Sequence, residues 1–142
     1  MNEEQRWIFI AELDGVLLKG GVTLSEWCSF IVREADLAFV AGANLAAIIT
    51  AMAGIETYLR SEYGGDRRLS LYELIEKSPI SEVLRRDIHI LRKYRNRWVH
   101  VSDPHDDSDI LAYPEKYEIE LEAKAKVAVR TLRCTIYENQ WV

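Results

Sequence analysis

The segment Arg95-Asn96-Arg97-Trp98-Val99-His100 brings a guanidinium, a carboxamide and an imidazole close together in the chain. An imidazole takes up or releases a proton near pH 7. A guanidinium neutralises a phosphate through two parallel hydrogen bonds. A carboxamide can orient either one. Together, the set suits proton transfer beside a held phosphate.

Charge supports that reading. The chain carries a net charge of −5, yet residues 85–100 hold Arg85, Arg86, Arg92, Lys93, Arg95 and Arg97 against Asp87 alone. Positive charge is therefore segregated into one segment of an acidic protein, which says more about partners than the total does. The remaining acidity favours solubility and confines an anionic ligand to that segment.

The elements that must position these groups are helices. Thr23-Leu24-Ser25-Glu26 reads as a capping box. Leu24, Trp27, Cys28, Ile31, Ala35 and Ala38 then recur at three- and four-residue steps, predicting a helix to about Phe39. Gly42 and Asn44 break it. A second helix, from about Leu45 to Tyr63, carries Leu45, Ile48, Ile49, Met52, Ile55 and Leu59 on one stripe and stops at Gly64-Gly65. Leu69 to Glu76 predicts a short third helix. Ser81 caps a fourth, from Glu82 through Val99 towards Pro104. Pro114 opens the last; its alternation of apolar residues would also suit a strand, but its Glu, Lys and Ala content favours helix. Residues 6–18, RWIFIAELDGVLL, read as two β-prone runs about an Asp-Gly turn, with a short helix the weaker alternative. The expected fold is all-α, an antiparallel bundle of about five helices with a short N-terminal β-hairpin in residues 1–20. Residues 1–142 read as one domain, the bundle occupying 24–138.

Leu84, Ile88 and Leu91 form the apolar stripe of the fourth helix, and its next positions are Arg95 and Trp98. Trp98 thus reads as core or interface. A guanidinium on that stripe needs a counter-ion, and Glu56, beside the stripe of the second helix, is the expected one. A bundle-locking salt bridge without chemistry satisfies the same pattern. His100 lies about 140° around the helix from Arg95, so the two converge only on a shared ligand or across a two-fold axis.

At these residues the chain resembles the HEPN superfamily (higher eukaryotes and prokaryotes nucleotide-binding domains). The resemblance rests on Arg95-Asn96 followed by His100 near the end of a late helix, on READLAFVAGANLAAIITAMAGIETYL as two helices joined by a short glycine-bearing turn, and on Glu56 at the polar position of the second. It covers roughly residues 24–138 and implies a metal-independent endoribonuclease of toxin or phage-defence type, acting as a homodimer whose two motifs face each other. By this resemblance His100 is general base or acid, Arg95 stabilises the phosphate, Asn96 positions either, and Glu56 orients Arg95. Arg92, Lys93 and Arg97 would contact RNA phosphates. No cofactor is implied. A cognate antitoxin or nucleotidyltransferase-type partner is.

Two other readings stand beside it. Some members of that superfamily are non-catalytic dimers that bind nucleotides or proteins. Separately, His100, Asp103, His105, Asp106, Asp107 and Asp109 are metal-ligand types, but their spacing matches no strong motif and a solvated acidic loop fits better. Cys28 and Cys134 have neither metal-ligand spacing nor a disulfide framework, as reduced thiols of a cytoplasmic protein would. MNEEQRW lacks a signal-peptide pattern, and no apolar run is long enough to span a bilayer.

Overall fold

The computed structural model describes residues 1–142 and is all helical. In chain order the helices are α1 (Glu3–Leu17), α2 (Glu26–Val40), α3 (Asn44–Leu59), α4 (Leu71–Lys77), α5 (Glu82–Val99), α6 (Ser108–Ala112) and α7 (Pro114–Ile136). A wider π-type turn, Arg60–Gly64, extends α3. No helix is long and apolar enough to cross a membrane.

The bundle forms where the apolar stripes predict it, except that Trp27 of the α2 stripe faces solvent. Ile48, Met52, Ile55 and Leu59 of α3 meet Ile88 and Leu91 of α5 and Val129, Leu132 and Ile136 of α7, all essentially inaccessible to water. Gly54 lets α3 and α7 approach closely, since a Cβ there would stand 3.0 Å from a Leu132 methyl. Gly42, at φ +80°, makes the tight α2–α3 turn that an L side chain would strain.

Three local expectations change. Residues 6–18 are the body of α1 and not a hairpin. The Asn2 side chain accepts the Gln5 N–H at 2.8 Å while the Gln5 side chain accepts the Asn2 N–H, so a capping box starts the helix. Gly15 has no positive φ, which the expected Asp-Gly turn would need. The α2 cap is Ser25 rather than Thr23, its hydroxyl accepting the Cys28 N–H at 3.1 Å. Finally, α5 stops at Val99, with His100 as its C-cap.

Two buried arginines hold α1 in place. Arg133 of α7 is almost wholly enclosed. It grips Asp36 of α2 with both terminal nitrogens, at 2.8 and 2.7 Å, and Asp14 of α1 with Nε at 2.8 Å. The Tyr137 hydroxyl donates to the same Asp14 oxygen at 2.6 Å. Burial alone would lower the Arg133 pKa, but Asp36 and then Asp14 hold it above the usual value. Burial, and then the bond to Asp14, pushes the Tyr137 phenol up. At the other end of α1, Arg6 donates to the Phe39 carbonyl at 2.9 Å, to Asn44 at 2.8 Å and to Glu122 at 3.0 Å. The C-terminal tail closes the Asp14 end of α1: Gly21 and Trp141 exchange backbone hydrogen bonds of 2.8 and 2.9 Å. A Cβ on Gly20 would lie 1.7 Å from the Trp141 carbonyl oxygen, so only glycine fits there.

Replacing Arg133 with Met leaves two carboxylates facing a low-dielectric seam. It is expected to cost about 3 kcal/mol, because Asp14 retains some access to water, and urea denaturation measures this. Burial, and then the charge of Glu62, raises the pKa of the fully buried Cys28 thiol to about 11. Cys28 should therefore resist iodoacetamide at pH 8 until the protein is unfolded, as mass spectrometry of native and urea-treated protein will show.

Candidate functional site

The candidate groups gather at the C-terminal half of α5, and that helix is built to hold them rigidly. The Ser81 hydroxyl caps its start, accepting the Leu84 N–H at 3.2 Å. Leu84, Ile88, Leu91 and Tyr94 anchor it in the core. Arg95 follows on the same stripe and is half-buried. Its Nε donates to the Asn96 side-chain oxygen at 3.0 Å, and its two terminal nitrogens have no protein partner. His100 is exposed where α5 ends, its backbone N–H bonded to the Asn96 carbonyl at 3.0 Å. Asn96 thus touches Arg95 through its side chain and His100 through its backbone. All three lie at one helix end, with the His100 ring bonded to neither of the others.

Glu56 does not join them. Its ion pair is with Arg60, one turn on in the same helix, at 3.5 Å, and Arg95 has no carboxylate within salt-bridge range. The expected Glu56–Arg95 pair is replaced by a local i,i+4 pair, which needs no tertiary alignment. Arg60 is also drawn away by the Leu69 carbonyl at 2.9 Å.

The cations of α5 divide among separate tasks and do not form one stripe. Arg85 closes the α4–α5 turn by donating to the carbonyls of Ile75, Glu76, Ser78 and Ile80, those to Glu76 and Ser78 at 2.7 and 3.1 Å. Arg86 is a surface group near Asp87 at 3.7 Å. Arg97 turns towards α7, 3.6 Å from Glu120 and over the Tyr94 ring. Lys93 is exposed and unpaired. Arg92 faces α4 instead. About 140° of helix separates Arg92 from Arg97, so one meets residues of α4 and the other Glu120 of α7.

Trp98 packs half-buried against the core, its ring edge-on to Tyr117 at 6.1 Å between centroids. It is therefore an anchor for the helix end. The loop from Val101 to Asp107 is exposed throughout, and no three His, Cys, Asp or Glu side chains of the protein converge as a metal-holding group. The broadest surface depression lies elsewhere, between the start of α3 and α7 around Asn44, Leu45, Glu118 and Glu122. The Arg95–His100 end is open surface.

A cluster that the sequence reading passed over lies one turn before this end. The His89 ring sits between Glu76 of α4, whose carboxylate is 2.8 Å from Nε2, and Arg92, whose Nε donates to Nδ1 at 3.3 Å. Tyr72 covers both, its ring 5.2 Å from that of His89 and 5.5 Å from the Arg92 guanidinium carbon. The signal was present as spacing. Arg85, His89, Arg92, Asn96 and His100 recur at three- and four-residue steps on one face of α5, and Tyr72 and Glu76 share a face of α4.

These partners separate structural from functional cations. Arg85→Ala removes bonds to four carbonyls and is expected to cost about 2 kcal/mol. Arg95→Ala removes no ion pair and should stay within about 1 kcal/mol of the parent; thermal melts of both variants check the ordering. Compared with protein-family models, curated proteins and solved structures, the chain matches none.

Proposed function

We propose that the protein is a metal-independent endoribonuclease in which Arg95, Asn96 and His100 act on one phosphodiester. The observation that carries this reading is Arg95 itself. It is a half-buried guanidinium whose Nε is fixed by Asn96 and whose terminal nitrogens have no protein partner, five residues before an exposed imidazole at the same helix end. A buried-side cation without a counter-ion is costly to keep for stability alone. It suits an anion that arrives from outside.

In this reading the Arg95 fork binds the two non-bridging oxygens of the scissile phosphate and stabilises the charge that builds there. His100 takes the proton from the ribose 2′-hydroxyl as its oxygen attacks phosphorus. The bond from phosphorus to the 5′-oxygen breaks, and a protonated imidazole returns a proton to that leaving oxygen. The products are a 2′,3′-cyclic phosphate and a 5′-hydroxyl. Only proton transfer and charge stabilisation are needed. Asn96 positions Arg95, whereas Glu56 is assigned no part. Because the Arg95–His100 end is open, a second copy facing it would complete the cleft and supply the second imidazole. A toxin or phage-defence setting inside the cell, with a cognate antitoxin or nucleotidyltransferase-type partner, follows from the family resemblance.

One observation favours a second reading, a non-catalytic dimer that binds a nucleotide or a protein. The His100 ring has no hydrogen-bond partner to orient it, as general bases usually have.

Incubation of total RNA with EDTA and the purified protein decides between them. The parent protein should leave cyclic-phosphate ends. His100→Ala and Arg95→Ala, shown to be folded, should each lose at least about a hundredfold in rate. RNA left intact by the parent protein would instead support the binding module.

A further inference from the structure

The α4–α5 seam holds a second arginine in the same condition as Arg95. Arg92 is pinned by its Nε, which donates to His89 Nδ1 at 3.3 Å. His89 is pinned in turn, because Nδ1 accepts from Arg92 and Nε2 is therefore the nitrogen that donates to Glu76, at 2.8 Å. Neither terminal nitrogen of Arg92 has a protein partner. A guanidinium held this way offers its two-pronged edge to an incoming anion with little left to order.

Tyr72 adds a different chemistry. His89 and Arg92 touch each other and both touch the Tyr72 ring, so they must lie on one side of it. The residue is nevertheless 55% exposed. More than half of its surface is thus available to a further ring, beside a phosphate-binding fork with no protein partner. That pairing of flat apolar surface and fixed positive charge is what single-stranded nucleic acid requires.

We propose that Tyr72 and Arg92 form a nucleotide subsite, Tyr72 stacking an unpaired base and Arg92 binding its phosphate, with His89 and Glu76 as positioning residues. The subsite deepens the ribonuclease reading and rests on it for the identity of the polymer. Arg92 and Arg95 are three residues apart, about 4.5 Å along the helix and about 60° around it. The subsite thus takes a nucleotide next to the one whose phosphate Arg95 holds. It commits the enzyme to single-stranded RNA, since a base still paired in a duplex has no free face for Tyr72.

Fluorescence anisotropy with a labelled 2′-O-methyl oligoadenylate tests this, since the blocked 2′-oxygen prevents cleavage and isolates binding. An abasic 2′-O-methyl oligomer of equal length is the second probe. The parent protein should bind the oligoadenylate about 5- to 100-fold more tightly than the abasic strand. Tyr72→Ala should erase that preference and Tyr72→Phe should keep it. Arg92→Ala should weaken both probes, and His89→Ala should add nothing further in the Arg92→Ala background. Equal binding of the two probes by the parent protein, no binding of either, or an unchanged preference in Tyr72→Ala would each overturn the subsite. The catalytic reading fails separately: a Tyr72-dependent binder that never cuts RNA retains the subsite and loses the nuclease. A nuclease indifferent to Tyr72 does the reverse.

Discussion

Arg133 must be neutralised where it stands, and its neutralisation decides where three helices lie. Nearly all of its surface is enclosed, and an isolated guanidinium there would be prohibitively expensive. Asp36 supplies a two-pronged partner from α2 and Asp14 a single one from α1, so α7 can seat only with both helices alongside. The core helices α3 and α5 meet α7 through side chains that tolerate small sliding. The Arg133 knot does not, since charge-assisted hydrogen bonds lose strength quickly with misalignment. Apolar burial makes the bundle compact, and this knot sets its register. The rigid α5 that carries the candidate site leans on that same α7.

Much of the bundle was legible because its information is local. The Ile48–Leu59 and Leu84–Leu91 stripes repeat within a few turns, Ser81 caps α5 from three residues away, and Pro114 opens α7. The first helix was not legible, for a physical reason. Its inward face includes Arg6 and Asp14, and their partners Glu122 and Arg133 are more than a hundred residues further along the chain. A sequence window sees those residues as polar interruptions. It cannot see that distant charges draw Arg6 into the interior and hold Asp14 at its edge.

The candidate site divides in the same manner. Arg95, Asn96 and His100 are fixed by one helix end, so their spacing in the chain already told their neighbourhood. The Glu56 pairing required two helices to align, and Arg60 was simply nearer. His89 went unnoticed because its meaning depends on α4, which places Glu76 and Tyr72 around it. The cationic segment likewise looked uniform as a string of letters. In three dimensions a helix distributes its side chains around a cylinder, and the arginines of α5 meet different neighbours while Lys93 meets none.

The location of the polar anchors on α1 also bears on how the chain is made. The first helix leaves the ribosome long before Glu122 and Arg133 exist to receive it. Until then Arg6 and Asp14 remain hydrated and interrupt what would otherwise be a continuous apolar face on Phe9, Ile10 and Leu13. Such a face would be sticky during synthesis. The residues that finally lock the helix down are thus the ones that keep it harmless while it waits, and although Phe39 and Asn44 can receive Arg6 early, Asp14 gains its partner only with the last helix.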